Sequence, residues 1–248
     1  MTPRVLRTAL AATALLALPA CTGDDGTSAE AGPAQRLLAT LDAGEEVAPD
    51  QFGELLDAGF DALTTARIRS VTETGASRTT VEGVADYADE VPTSSVTATG
   101  LLPDVEVRVR AVDGVLHVDL GPLTDGRFLT VDPHDPEGPL GDLAALVDAT
   151  DPRGQLDAYV ARLDEVVHVG RDDGLAHFRV AVRAASDARP PTLELWLDDA
   201  GRVRRSETTS TRRGVTTTTV TEMYDLGVDV DVEAPPAGER IDELPPAR

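Results

Sequence analysis

Four histidines, one cysteine and one short run of carboxylates are the side chains in these 248 residues with chemistry beyond packing. His117, His134, His168 and His177 are the only imidazoles, and a structural or catalytic metal centre usually takes three or four protein ligands. A hairpin turn at Asp173-Gly174 would set His168 and His177 diagonally on one strand face, about 7–8 Å apart between backbones, with no third ligand beside them. Solvated polar-face residues are the simpler account of that pair. Asp132, Asp135 and Glu137 in "DPHDPEGPLGDL" are hard oxygen donors of the kind calcium takes, but their spacing is not that of an EF-hand and the prolines fit a surface loop. The chain contains no GxSxG elbow, glycine-rich phosphate loop, HExxH or second cysteine. The expectation is a protein that is not an enzyme, with no metal and no cofactor.

Cys21 differs because of what precedes it. Arg4 and Arg7 supply a positive start, and Ala9 to Leu18 is an apolar or small-residue run broken only by Thr13. A membrane span needs about 20 apolar residues, so this run has the length of an export signal instead. An ordinary signal peptidase cutting after Ala20 would meet bulky Leu18 at the third-last position. Leu18-Pro19-Ala20-Cys21 resembles the lipobox of bacterial lipoproteins, whose cysteine thiol receives a diacylglycerol and becomes the mature N-terminus. That resemblance implies lipid attachment at Cys21, a signal peptide over 1–20 and anchorage on the extracytoplasmic face of the cell membrane. Two acyl chains are enough for stable attachment where one is marginal. With a single cysteine no internal disulfide can form, so stability must come from the core.

The charge balance narrows the partners. There are 22 basic and 44 acidic residues, a formal net charge of -22, and only 3% aromatics. Nucleic acid is therefore not an expected partner, since it demands clustered positive charge and stacking rings. Residues 21–33, with "TGDDGTSAEAGP", are small and acidic and read as a flexible tether. Residues 34–236 are long enough for one well-cored domain, and 237–248 read as a proline-containing tail.

Helices and strands separate by period. Phe52, Leu55, Leu56, Phe60 and Leu63 share one helical face behind Pro49. Leu156, Tyr159, Val160 and Leu163 repeat at helical spacing behind Asp151-Pro152, Leu143, Leu146 and Val147 mark a shorter helix, and "AQRLLATLDAG" adds a turn or two. The rest reads as antiparallel strands. Asp113-Gly114 suits a two-residue type I′ turn, which pairs Val112 with Val115. Val107, Val109 and Ala111 then stand opposite Leu120, Val118 and Leu116, and Arg108 opposite Asp119. The same construction at Asp173-Gly174 pairs Val169 with Phe178 and Val167 with Val180. "TLELWLDDAGRVRR" forms a third hairpin in which Leu195 would meet Arg205. "SETTSTRRGVTTTTVTEMY" forms a fourth around Gly214, with Thr on both faces and no clear buried side. With "RSVTET", "TTVEGVADYA" and "SSVTATG" the total is roughly ten strands, enough to curl.

In this order "VDGVLHVDLGPLTDGRFLTVD", "DPRGQLDAYVARLDEVVHVG", "DGLAHFRVAV", "LELWLDDAGRVRR" and "YDLGVDVDVEAPP" resemble the LppX/LprG-type lipoproteins of actinobacteria, over about Phe52 to Pro236. That family shares the curved half-barrel of the LolA and LolB lipoprotein-localisation factors. The resemblance implies an α+β fold, a curved antiparallel sheet wrapped on a few helices, with an apolar cavity between them for acyl chains. Val107, Val109, Val118, Leu120, Val167, Val169, Phe178, Val180, Leu195 and Leu197 would line it. The implied function is binding of a lipid or acylated ligand and lipid or lipoprotein transport in the cell envelope. By pattern alone the same apolar faces read as core, and hydroxyls of the Thr216 to Thr219 strand are candidates for head-group choice. The alternative is an envelope interaction or sensor module with a filled core, whose acidic surface meets a protein partner of unknown identity.

Overall fold

The computed structural model describes residues 32–89, 91–132, 160–183 and 190–245. They fall in one compact unit, Ala31–Arg248. Two helices are present among them. α1 (Pro33–Thr40) and α2 (Pro49–Asp61) each begin with a proline in the first turn, where its missing N–H costs nothing. The α2 face expected from the sequence is the buried one, with Phe52, Leu55, Leu56 and Phe60 all inside. Two further expected helices, around 143–147 and 151–163, lie outside the described residues apart from the end of the second.

Among the described residues, thirteen strands form one open sheet. In chain order they are β1 (Glu45–Glu46), β2 (Thr65–Thr74), β3 (Ser77–Asp86), β4 (Thr93–Leu102), β5 (Val105–Val112), β6 (Val115–Asp119) and β7 (Phe128–Val131), followed by β8 (Leu163–Asp172), β9 (Leu175–Val182), β10 (Thr192–Leu197), β11 (Val203–Arg212), β12 (Val215–Tyr224) and β13 (Arg240–Ile241). Their order across the sheet is β1-β8-β9-β10-β11-β12-β2-β3-β4-β5-β6-β7-β13. Two meanders, β2 to β7 and β8 to β12, therefore lie side by side and join where β12 pairs with β2. Every pairing is antiparallel except β13 with β7. The three strands beyond the expected ten are β1 and β13, two residues each at the sheet edges, and β7, four residues after a turn. Residues 237–248, read from their prolines as a tail, thus supply an edge strand.

The first hairpin has the expected register: Arg108 faces Asp119, Val109 faces Val118 and Val112 faces Val115. Asp113 and Gly114, both at positive φ, make the two-residue turn. The second hairpin departs from expectation. Its Asp172 to Leu175 turn holds the register as far as Gly170 opposite His177, and then a bulge inserts one extra residue. His168 consequently faces Phe178, Val167 faces Arg179 and Val166 faces Val180. Because side chains alternate with period two, that single residue moves Val166 and His168 to the buried face. Val167 and Val169, expected inside, are only half-buried. In the third hairpin a bulge between Trp196 and Leu197 sets Leu195 opposite Ser206 and Trp196 opposite Arg205, instead of Leu195 opposite Arg205.

The apolar core is divided. One cluster joins α1 and α2 to β8–β12, with Phe52, Phe178, Val180, Leu195 and Leu197 at 0% exposure and Met223 at its border. The other, among the described residues, is made of β3–β7 residues and Leu120, with no helical residue. α2 packs closely on the β10–β11 turn, where the backbone of Gly59 lies against the carbonyl of Gly201.

Candidate functional site

The strand register puts both clusters on one face of the sheet, here called inner because α1 and α2 cover part of it. Starting from Leu193 and Leu195 of β10, the inner positions pass to Thr208 and Ser206 of β11, then to Thr219 and Thr221 of β12. They continue to Thr72 and Ser70 of β2 and to Thr79 and Val81 of β3. One step nearer the hairpin tips runs the row Ser210, Thr217, Thr74, Ser77. From Val81 the face turns apolar again through Ala98 and Val107.

Four adjacent strands thus carry hydroxyls at eleven of twelve inner positions in three rows, Val81 being the exception. Strand geometry spaces them about 4.8 Å across the strands and about 6.7 Å along them. Three pairs bridge the seam between the meanders, Ser70–Thr221, Thr72–Thr219 and Thr74–Thr217, each at 3.0 Å. In each pair one hydroxyl donates to the other, which leaves one O–H and several lone pairs for a further partner. Most of these side chains are half-buried; Ser70 is buried and Ser77 exposed. None of the twelve is charged.

The outer face of the same strands is the opposite in character. Arg69 pairs with Glu82 at 3.0 Å, Arg78 with Glu73 at 3.1 Å and Arg205 with Glu207 at 3.1 Å. A cavity of about 280 Å³ there is lined by such groups, including Arg69, Glu73, Arg205 and Glu222. Thr216 and Thr218 face this side, bonded to Thr211 and Thr209, so only Thr217 and Thr219 of the expected run look inward.

The residues expected to line one cavity separate into two places. Val107, Val109, Val118 and Leu120 lie in the strand-only cluster, and Phe178, Val180, Leu195 and Leu197 in the cluster under the helices. Val167 and Val169 belong to neither. Two larger cavities, of about 570 and 510 Å³, are lined by other residues: the first by the start of α1 and the 198–202 turn, the second by the Asp172-Asp173 turn, Trp196 and Tyr224. Cys21 and His134 lie outside the described residues.

The bulge also separates the two histidines expected on one face. His168 is buried against Phe178, ring centroids 5.2 Å apart, and its Nδ1 hydrogen-bonds the Asp42 carbonyl at 3.0 Å. His177 is on the outer face, stacked on Trp196 at 4.4 Å and bonded to Glu194 at 2.7 Å. Among the described residues no group of three or more metal-ligating side chains converges. No described helix is long and apolar enough to cross a membrane.

His117 occupies a site the pattern did not mark. The segment after β12 crosses outside the sheet: Asp225 pairs with Arg67 at 3.4 Å and Gly227 donates to the Thr65 carbonyl at 2.9 Å. Further along, Arg110 donates to the Glu233 carbonyl at 3.2 Å, and Arg240 to that of Pro235. Val228, Val230 and Val232 are half-buried while Asp229, Asp231 and Glu233 are exposed, as an extended segment lying on a sheet requires. His117, only 3% exposed, has its pKa lowered by burial first and then by the charges of Arg240 and Arg110. The sequence signal for this crossing was the V-D-V-D-V-E alternation itself.

No family model matches the chain, and no curated protein does. Solved structures do match, 33 chains in all. They include a DUF1329 family protein from Desulfovibrio piger, 10% identical, with 75% of this chain and 93% of that one covered at a TM-score of 0.30. At that identity and TM-score the likeness carries no argument about function.

Proposed function

We propose that the chain is an envelope lipoprotein of the LppX/LprG type, anchored through Cys21, that holds acyl chains against the inner face of a half-barrel sheet. The observation that carries this reading is the second apolar cluster: ten buried residues of one sheet face, with no helical residue among the described residues of the cluster. Strongly twisted open sheets rarely exceed about ten strands without curling, splitting or flattening, so a sheet of thirteen is compatible with a curled half-barrel. Acyl chains on such a face gain about 0.8 kcal/mol per buried methylene without any polar code. The acidic surface fits a protein that approaches lipid through its anchor instead of through charge.

A second reading, an interaction module with a filled core, is favoured by one fact: the residues of the strand cluster are already 0–9% exposed. Organic extraction of the full chain purified in detergent separates the two. The covalent anchor stays with precipitated protein, so acyl lipid found in the extract by mass spectrometry is bound lipid. The carrier reading expects that lipid, and expects Val109→Trp to reduce it while the fold persists. An extract free of lipid, with Val109→Trp destabilised by about 1–3 kcal/mol as overpacking of a dry core requires, overturns it in favour of the module.

A further inference from the structure

We infer that the hydroxyl lattice of β11, β12, β2 and β3 is the subsite for the polar part of the ligand, and that this polar part is uncharged. The inference rests on the carrier reading above and names the ligand class. The lattice lies between the two apolar clusters on the same face, so an amphiphile whose chains occupy either cluster must bring its polar group onto these rows.

Two independent observations select the chemistry. The first is the absence of charge: the twelve inner positions carry no ionisable group, whereas the outer face of the same strands carries paired arginines and glutamates. A surface that merely faced water would carry charge on both sides, as β-strand residues on solvated faces usually do. An anionic phosphate placed on these rows would find no cation among the twelve positions, the same-face Arg212 lying one row beyond Ser210 at the hairpin tip, and no backbone N–H, since the strand amides are used in the ladders. The second is the state of the hydroxyls. Thr72 and Thr219, bonded to each other at 3.0 Å, still offer one donor and free lone pairs, as do Thr74 and Thr217 beside them. Neutral hydroxyl and ester groups are both donors and acceptors, or acceptors alone, and match that mixed supply. Their hydrogen bonds also need no counter-ion, which suits a protein of net charge -22.

The test presents the full chain, purified in detergent, with an equimolar mixture of dioleoylglycerol and dioleoylphosphatidylglycerol, which share acyl chains and differ in charge. High salt, about 1 M, shortens the Debye length to about 3 Å and removes the general repulsion of anions by the acidic protein. Bound lipid is counted by mass spectrometry. The wild type should retain diacylglycerol in preference. The isosteric double variant Thr72→Val/Thr219→Val should lose about fivefold in diacylglycerol relative to phosphatidylglycerol, the worth of one neutral hydrogen bond. Thr209→Val/Thr218→Val, which removes a hydroxyl pair on the outer face, should leave the ratio unchanged. Valine keeps the strand preference of threonine, and Thr74→Val/Thr217→Val one row away supplies a second inner variant should the first fold poorly. Equal loss from inner and outer variants, or a wild-type ratio in both inner variants, overturns the subsite while leaving lipid carriage intact. Failure of the wild type to bind either lipid overturns the carrier reading and the subsite with it.

Discussion

Gly53 and Gly59 lie in the same helix, and alanine at the two positions should move stability in opposite directions. Helix propensity alone favours Ala over Gly by about 1 kcal/mol at an interior position, so by that measure both changes stabilise. The surroundings differ. A Cβ on Gly53 would meet only Val160 Cγ1, at 3.5 Å, an ordinary contact. A Cβ on Gly59 would lie 2.0 Å from the Gly201 carbonyl oxygen and 2.4 Å from its carbon, backbone atoms that no rotamer change can move. α2 would have to retreat by more than an ångström, loosening Leu55, Leu56 and Phe60 from the core they now fill at 2, 2 and 8% exposure. Overpacking of this kind costs about 1–3 kcal/mol, and a backbone clash belongs at the upper end. Subtracting the propensity gain leaves Gly59→Ala destabilised by about 2 kcal/mol, a fall in melting temperature of about 4–8 °C for a chain of this size. Gly53→Ala should rise by about 1 kcal/mol. Urea unfolding followed by circular dichroism reads both as shifts in midpoint at constant slope. Equal shifts in the two variants, or a Gly59→Ala midpoint at or above wild type, would refute the close approach of α2 to the β10–β11 turn.

His117 predicts a pH dependence. Its folded pKa lies below the ordinary 6.5, so the unfolded chain binds the proton more readily, and stability is full above 6.5 and falls as pH drops below it. Each unit of depression is worth about 1.4 kcal/mol, so His117→Gln should flatten the stability profile between about pH 7 and about pH 5 relative to wild type; identical slopes would show that His117 is not shielded as described. Cys21→Ser should abolish incorporation of labelled palmitate into the full chain, and continued labelling would place the acyl group elsewhere.

The parts of the fold legible in the sequence are those where several local signals agree. At Asp113-Gly114 the turn type, the valine alternation and the Arg108–Asp119 pair all select one register, and the chain adopts it. At Asp173-Gly174 the turn was legible but the bulge at Val169, four residues before Asp173, was not. Its signal was Gly170, a strand glycine held at φ +137°, which alternation arguments pass over because glycine has no side to assign. Hence Val166 and His168 took the buried places expected for Val167 and Val169. β1 and β13 were invisible for a different reason, since two residues carry no period and their pairing is decided by distant strands.

The threonine strands show most clearly where local pattern ends. Thr on both faces of β12 has no intrinsic inside, and the choice is made by partners far away in the chain. Thr219 looks inward because β12 pairs with β2, bringing Thr72 to it across 147 positions, and because β11 sets Thr208 beside Leu193. That pairing is also the seam of the molecule. Below it, Ile68 and Met223 are buried, but along the three hydroxyl rows the inner side of the seam is joined by backbone ladders and hydroxyl pairs worth about 0.2–1 kcal/mol each, the apolar contact there being the half-buried Val71–Val220 pair on the outer side. A fold stabilised only by its core would gain from valine at these positions, because valine has threonine's shape and buries an extra methyl. The hydroxyls at eleven of the twelve sites therefore forgo stability, which is what the proposed subsite for a neutral polar group would require.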